Sequence, residues 1–89
     1  MRVIKRHKLF LKDMAKCPLS DKHFTKLIAY LGLLVQGQAL PEEAKDNTLI
    51  GNWVSFREFH VSGDVLVIYK VTDDELILVR MGSHSQLFD

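Results

Sequence analysis

Two histidines, an aspartate and an arginine in the C-terminal half of the chain have side chains suited to acid–base chemistry on a phosphate. They are His60, Asp64, Arg80 and His84. Imidazoles pass protons near neutral pH, and an arginine stabilises charge that develops on a phosphate. Metal-free RNA cleavage needs these parts: a base for the 2′-hydroxyl, an acid for the leaving 5′-oxygen and a cation for the phosphorane. Such residues also meet by chance on protein surfaces. Their types alone are therefore compatible both with a catalytic site and with a chance cluster.

Other kinds of site lack their sequence patterns. The four histidines and Cys17 form no close pair such as His-x-x-x-His or Cys-x-x-Cys, so no metal is expected. The five glycines are scattered and form no phosphate-binding loop, and neither Ser83 nor Ser85 lies in a nucleophile elbow. The sequence therefore predicts no cofactor. A lone cysteine allows no disulfide within the chain and is typical of a reducing compartment.

Length and composition indicate one small globular domain. The 89 residues leave room for a single core, over residues 1–89, and none for a second domain. The net charge of +1 gives no strong electrostatic argument for a polyanionic partner, so an RNA surface would need local segregation of charge. Neither a secretion signal nor an apolar run long enough for a bilayer is evident. We therefore expect a cytoplasmic protein without a membrane partner.

Two helices are predicted in the first half of the chain, after a short strand at residues 2–6. Apolar residues at helical spacing between Leu9 and Cys17 predict the first helix, which Pro18 ends. Ser20 is a candidate N-cap for the second helix and Gly37 a candidate C-cap. The apolar stripe expected on that second helix comprises Phe24, Leu27, Ile28, Leu31, Leu34 and Val35.

Three strands are predicted in the second half, after a loop over residues 40–51. The runs SFREFHV, VLVIYKV and ELILVRM are rich in β-branched and aromatic residues, and short turns separate them. Separations this short join antiparallel neighbours. The sequence thus predicts the order β-α-α-β-β-β, with two helices packed on one face of the sheet.

The short turns also predict which side chains share a face. If each hairpin has a two-residue loop, His60 lies opposite Val65, and Tyr69 lies opposite Leu78. The face expected to carry the helices then collects Phe59, Val61, Leu66, Ile68, Ile77, Val79 and Met81. The other face, the candidate working surface, collects Phe56, Glu58, His60, Val65, Val67, Tyr69, Leu78 and Arg80.

Rows across the strands are expected to bring the candidate residues together. Glu58 and Arg80 should lie in one row, on either side of Val67, with His60 in the next row. The chain continues beyond Arg80 in the same direction, which should bring His84 close to His60 and the turn that contains Asp64. A slip of one residue would reverse every face and expose apolar side chains to water, because side chains alternate with a period of two.

Two aromatic residues have two interpretations each. Trp53 and Phe88 could stack on an unpaired base, as aromatic residues do in RNA recognition, or cover the edge of a thin core. For Trp53 the core interpretation is favoured.

The stretch from Lys45 to Phe88 carries the motifs of a known family. It reads KDNTLIGNWVSFREFHVSGDVLVIYKVTDDELILVRMGSHSQLF. This stretch resembles the YafQ branch of the RelE/ParE toxin superfamily, in which L-x-G-x-W, R-[ED]-x-H, a following aspartate and R-x-G-[ST]-H-x-x-L-F occur in this order. The helical half of the chain is compatible with the family in length and order.

The resemblance implies a RelE-like α+β fold, with a short N-terminal strand and two helices on one face of an antiparallel sheet. It also implies a type II toxin, an endoribonuclease that cleaves messenger RNA, typically on the ribosome. A cognate DinJ- or RelB-like antitoxin would neutralise such a toxin.

The resemblance places the family's site residues on positions of this chain. The catalytic histidine of R-x-G-[ST]-H falls on His84, which we expect to be the general acid. Asp64 or His60 would be the base or its orienting partner, and Arg80 the transition-state cation. The residues implied in substrate binding are Lys45, Asn47, Glu58 and Phe88.

Two positions depart from the family pattern. Asn47 stands where YafQ-like sequences often have a histidine, and Val65 where they often have a tryptophan. An asparagine cannot transfer protons at neutral pH, and a valine offers no stacking surface, so a slower nuclease or an altered sequence preference is expected. Two alternatives stay open: a ParE-like toxin that blocks DNA gyrase, and a toxin whose catalysis has decayed and that mainly binds its antitoxin.

Overall fold

The computed structural model describes residues 1–88, which form a five-stranded sheet and three helices. The strands are β1 (Val3–Arg6), β2 (Asn47–Thr48), β3 (Arg57–His60), β4 (Leu66–Val71) and β5 (Glu75–Gly82), and the helices are α1 (Lys8–Lys16), α2 (Asp21–Val35) and α3 (His84–Phe88). The α+β class is confirmed. The short β2 and α3 are additions to the predicted order. Within residues 1–88, no helix combines the length and apolar character that crossing a membrane requires.

The sheet is mixed, whereas the sequence predicted an antiparallel sheet. The strand order is β1-β5-β4-β3-β2. Strands β2 to β5 pair antiparallel, as their short connections require, but β1 runs parallel to β5. The two helices between β1 and β2 supply the long connection that a parallel strand needs. The first strand therefore closes one edge of the sheet beside the last strand.

Local signals in the sequence explain where α2 begins and ends. Ser20 caps α2 as predicted, since its Oγ accepts a hydrogen bond from the amide of His23 at 3.2 Å. Gly37 follows the helix with φ +75°. The amides of Gly37 and Gln38 donate to the carbonyls of Leu34 and Leu33, the pair of bonds typical of a Schellman motif.

A large core lies between the sheet and the face of α1 and α2 that packs on it. The helices contribute Phe10, Leu27, Tyr30, Leu31 and Leu34, and the strands contribute residues that include Phe59, Val67, Tyr69, Leu78 and Met81. The predicted stripe of α2 is wrong at Phe24 and Ile28, which are 47% and 52% exposed. Tyr30, which the predicted stripe left out, is buried instead, and its ring packs edge-on against Phe59. The buried stripe is thus narrower than the apolar pattern of the sequence.

A smaller core covers the opposite face of the sheet. Leu66 and Ile68 of β4 pack there with Leu87 of α3. The partly buried residues around them are Leu49, Trp53, Phe56, Val79 and Phe88. Trp53 therefore covers a core, as the sequence analysis favoured.

The register between β3 and β4 differs from the prediction by one residue. His60 pairs with Leu66 instead of Val65, because the turn is longer than two residues and the amides of Val61 and Ser62 both donate to the carbonyl of Val65. Several predicted faces are therefore wrong. Leu66, Ile68 and Val79 pack on the face opposite α1 and α2, whereas Val65, Val67, Tyr69 and Leu78 belong to the helix-facing core.

A bulge in β5 produces a second shift that compensates for the first. The pair Tyr69 and Leu78 is as predicted, but Ile68 pairs with Arg80, which leaves Val79 without a direct partner. Glu58 pairs with Ile68 in turn. Glu58 and Arg80 consequently share one row, as predicted, with Ile68 between them instead of Val67.

Candidate active site

A cleft of about 350 Å³ opens at the end of the sheet where β3 ends and α3 begins. Three of the predicted catalytic residues, His60, Asp64 and His84, line this cleft, which we name the catalytic cleft after that prediction. The other lining residues are Gly63, Leu66, Ser83 and Ser85. The structure therefore brings together residues from three separate elements, while Arg80 lies outside the cleft.

His60 is held by the neighbouring Glu58. Both residues lie on β3 and, two positions apart, point to the same face of the sheet. The Oε2 of Glu58 lies 3.3 Å from the Nε2 of His60, and the side chains are 10% and 25% exposed. Because a carboxylate fixes the orientation of an imidazole, Nδ1 is the nitrogen that remains for exchange with a ligand. The resemblance implied a role in substrate binding for Glu58, and its contact with His60 was not predicted.

Asp64 lies in the turn between β3 and β4, which Ser62 organises. The Oγ of Ser62 accepts hydrogen bonds from the amides of Asp64 and Val65, at 3.2 and 3.0 Å. A serine that bonds to the backbone two and three residues ahead is a common turn device, and the S-G-D sequence carries that signal. The turn keeps Asp64 exposed at the rim of the cleft.

His84 is the first residue of α3, and a reciprocal pair of hydrogen bonds fixes that helix end. The amide of Gln86 donates to Ser83 Oγ at 3.2 Å, and the amide of Ser83 donates to Gln86 Oε1 at 2.8 Å. This is the capping-box arrangement, readable in the sequence as S-x-x-Q. A Cβ on Gly82 would lie 2.9 Å from Gln86 Oε1, so glycine leaves the space that this side chain occupies. The capping box and the space beside Gly82 thus explain why a glycine and a serine precede His84.

Phe88 and His84 pack against each other across one turn of α3. Their ring centroids are 4.7 Å apart, and the ring of Phe88 also lies edge-on to Trp53 at 6.3 Å. Phe88 is half-buried in the smaller core. The ring of Phe88 therefore restricts the position of the imidazole of His84.

Arg80 is engaged by Asp13 of α1. Its Nε and Nη2 donate to the two carboxylate oxygens at 2.7 and 3.2 Å, and the amide of Met81 donates to Asp13 at 3.0 Å. Partial burial raises the pKa of Asp13, but the hydrogen bonds from Arg80 and Met81 outweigh it and the pKa lies below its usual 3.8. The hydrogen bond to Asp13 likewise raises the pKa of Arg80. The ion pair of Asp13 and Arg80, which was not predicted from the sequence, ties α1 to β5.

Lys45 and Asn47 flank Asp46, which is locked to the sheet. Asp46 accepts hydrogen bonds from Arg57 at 3.1 and 3.3 Å and from the hydroxyl of Tyr69 at 2.6 Å. The hydrogen bond to Asp46 raises the pKa of Arg57, and burial together with the same carboxylate raises that of Tyr69. Asn47 pairs with Glu58 across the sheet edge, whereas Lys45 lies in a second cleft that adjoins His60.

Comparison with known proteins assigns the chain to a family. Residues 2–89 match the family described as the bacterial toxin of a type II toxin–antitoxin system, YafQ. The chain belongs to the YafQ family. The mRNA interferase toxin YafQ of Escherichia coli strain K12 is 36% identical over 80 residues, which cover 89% of this chain and 87% of the relative.

Solved structures of this family share the fold along the whole chain. The crystal structure of YafQ from E. coli strain BL21(DE3) matches with a TM-score of 0.87 and 33% identity over 100% of both chains. YafQ in the E. coli DinJ–YafQ toxin–antitoxin complex matches with a TM-score of 0.85 and 35% identity, over 99% of this chain and 98% of that one. The RelE-like fold predicted from the sequence is therefore confirmed.

Proposed function

We propose that this chain is an endoribonuclease toxin that cleaves messenger RNA without a metal ion. The observation that carries the proposal is the cleft in which His60, Asp64 and His84 meet, in a chain of the YafQ family. Two imidazoles and a carboxylate around one cavity supply the acid and the base that attack by a 2′-hydroxyl needs. The E. coli relative named an mRNA interferase toxin supports the choice of RNA as the substrate.

The contacts of the two histidines support a division of roles. His60 is the general base: Glu58 orients its Nε2, and Nδ1 accepts the proton of the 2′-hydroxyl. His84 is the general acid: its capped position at the start of α3 holds the ring at the rim, where the leaving 5′-oxygen departs. Asp64, exposed between them, orients the attacking hydroxyl or the imidazolium that forms.

Arg80, which does not itself line the catalytic cleft, is the proposed cation for the phosphorane. A guanidinium has five N–H donors, and the contacts with Asp13 use Nε and Nη2, so Nη1 is not engaged by that carboxylate. Asn47 and Phe88 are proposed to contact the substrate, Asn47 by hydrogen bonding and Phe88 by stacking on a base.

Mapping of messenger-RNA 5′ ends in a translating extract tests the proposal. The wild type is expected to produce new 5′ ends, and His84→Ala to reduce them by about 10²- to 10⁴-fold, the usual contribution of a general acid. His7→Asn is the matched control, because His7 only caps α1 and asparagine is also a good cap. Equal and undetectable cleavage by the wild type and His84→Ala would reject the nuclease.

The same extract tests whether the chain cleaves messages on the ribosome, as we propose. A translated message is expected to be cut, and the same message without ribosomes to be cut much more slowly. Equal rates would show that the ribosome is dispensable. Because messages are translated in the cytoplasm, we propose that the chain acts there.

A DinJ-like antitoxin is the proposed protein partner. The support is the E. coli DinJ–YafQ complex, whose toxin chain matches this chain along almost its whole length. Co-expression with a DinJ-like antitoxin is expected to restore growth that the toxin arrests. Continued arrest, with both proteins present and soluble, would contradict this partner.

A further inference from the structure

A second cleft, of about 360 Å³, adjoins the catalytic cleft on the side of α2. His60 and Gly63 line both clefts, so the two form a continuous surface. The remaining lining residues are Lys22, His23, Lys26, Glu43, Lys45, Val61 and Ser62. We refer to the part formed by Lys22, Lys26 and Lys45 as the lysine groove.

The lysine groove concentrates positive charge in a chain whose net charge is only +1. Lys22 and Lys26 are four residues apart on α2 and so share one helix face. Lys45 comes from the other side of the groove, where the chain turns with φ +51° after a single 3₁₀ turn. The only carboxylate lining this cleft within residues 1–88 is Glu43, which lies 3.3 Å from Lys26 Nζ and is 61% exposed.

The position of the groove indicates what it binds. Flexible lysine ammonium groups bind phosphates as point charges, and contacts to phosphates position a strand without reading its bases. A strand whose scissile phosphate lies between His60 and His84 has to leave the catalytic cleft, and the shared residue His60 leads it into the groove. An acidic protein segment would satisfy the charges equally, but it gives no reason for the groove to continue from His60.

We propose that the lysine groove holds the backbone phosphates of the RNA strand next to the scissile phosphate. This inference rests on the proposed nuclease function and names the subsite that positions its substrate. The groove fixes the register of the strand without selecting its sequence, because phosphates carry no base identity. Codon preference then depends on other contacts.

Binding of a labelled 2′-O-methyl RNA oligonucleotide tests the groove, since this RNA lacks the attacking hydroxyl and stays intact. For Lys22→Gln/Lys26→Gln we expect about 10- to 30-fold weaker binding at 0.1 M salt, and a log–log salt slope less steep by about 1.4, from two lost phosphate contacts. The matched control is Lys8→Gln/Lys12→Gln, with the same charge change and spacing on α1, outside both clefts. Its affinity is expected to stay within about 2-fold of the wild type.

Glu43→Gln tests the same groove with the opposite sign. Removal of this carboxylate frees Lys26 and is expected to tighten RNA binding about 3-fold. Thermal unfolding of all variants is expected to stay close to that of the wild type, because an exposed ion pair contributes at most about 1 kcal/mol. Weaker binding by Glu43→Gln would contradict the proposal.

Four further results would overturn the inference and are distinguishable from one another. Equal losses in the two lysine pairs would mean general attraction without a groove. Loss of ribosome co-sedimentation in Lys22→Gln/Lys26→Gln, with oligonucleotide binding unchanged, would assign the groove to ribosomal RNA. If the wild type cleaves messages and the lysine variants cleave equally well, only the groove fails; if the wild type itself neither binds nor cleaves, the proposed function fails with it.

Discussion

The two faces of the sheet differ in how completely they are covered. Among residues 1–88, thirteen buried residues form the core under α1 and α2, whereas three form the core on the opposite face. The short α3 covers that second face only in part, and the catalytic cleft lies where its cover ends. The large core supplies most of the apolar burial that stabilises the fold, and the small core leaves polar side chains within reach of a ligand.

The charged and titratable groups also differ in how far they are paired within the fold. Arg80 and Arg57 are paired with Asp13 and Asp46, so their charges are compensated within the fold. His84, at the catalytic cleft, is exposed, and its ring packs against that of Phe88. Arg80 therefore mainly holds α1 to β5, with Nη1 outside its contacts with Asp13, whereas the exposed imidazole of His84 is open to a ligand.

Replacement of one phenylalanine on each face gives the largest expected difference in stability. Phe59 is fully buried and packs against the rings of Tyr30 and Tyr69, so Phe59→Ala is expected to lower the free energy of unfolding by about 3–5 kcal/mol. Phe88→Ala, on the half-covered face, should cost no more than about 2 kcal/mol. Urea denaturation measures both values. Similar costs would show that the two cores contribute alike.

Asp13→Asn tests the pair that ties α1 to β5. Loss of the charged hydrogen bonds to Arg80 is expected to cost about 2 kcal/mol at pH 7. The folded pKa of Asp13 lies below its unfolded value of about 3.9, so the contribution is complete above that value and is lost as pH falls through the folded pKa.

Unfolding by urea at several pH values checks this dependence. The stability difference between the wild type and Asp13→Asn should stay constant from pH 6 to about 4 and shrink as pH falls further towards the folded pKa of Asp13. Asp73→Asn, in the exposed turn before β5, is the control and should show no comparable change. A difference that stays constant with pH would contradict the pair.

Gly82→Ala gives the smallest effect and tests how α3 presents His84. The new Cβ would displace Gln86 from its contact with the amide of Ser83, so the expected cost is about 1 kcal/mol, the value of a helix cap. Gln86→Ala should cost the same. Because both changes break one contact, the double variant should cost little more than either alone, and full additivity in urea denaturation would contradict the capping box.

Much of the fold could be predicted because local signals are strong in this chain. Ser20 and Gly37 mark the limits of α2, and the three β-rich runs become β3, β4 and β5. The addition of β2 and α3 could not be read from periodicity, since elements of two and five residues are shorter than any repeat that the pattern could reveal. The S-x-x-Q capping box was the one signal for α3.

The register could not be predicted because both faces of the sheet are apolar. We expected a one-residue slip to be resisted by apolar residues that would enter water. In the structure the slipped residues Leu66 and Ile68 enter the second core instead, so hydrophobicity does not distinguish the two registers. The longer turn after His60 and the bulge at Val79 shift the strands by one residue each, and the relative position of β3 and β5 is preserved.

The candidate site was predictable where it depends on β3 and β5 and not where it depends on side-chain partners. His60, Asp64 and His84 line one cleft, as the row argument anticipated. The contact of Asp13 with Arg80 was not predicted, since a contact 67 residues apart along the chain leaves no trace in sequence spacing. Glu58 and His60 were predicted on one face, but that placement does not distinguish a contact between them from a role of Glu58 in substrate binding. The roles of these residues in catalysis stay predictions.

The chemical nature of the cut ends tests the central claim most directly. Attack by a 2′-hydroxyl, with His60 as base and His84 as acid, leaves a 2′,3′-cyclic phosphate on one fragment and a 5′-hydroxyl on the other. Messages cut by the wild type in a translating extract should therefore accept a 5′ label from polynucleotide kinase without prior phosphatase treatment. Fragments with a 5′-phosphate and a 3′-hydroxyl would mean that water attacks the phosphate, and would contradict this account.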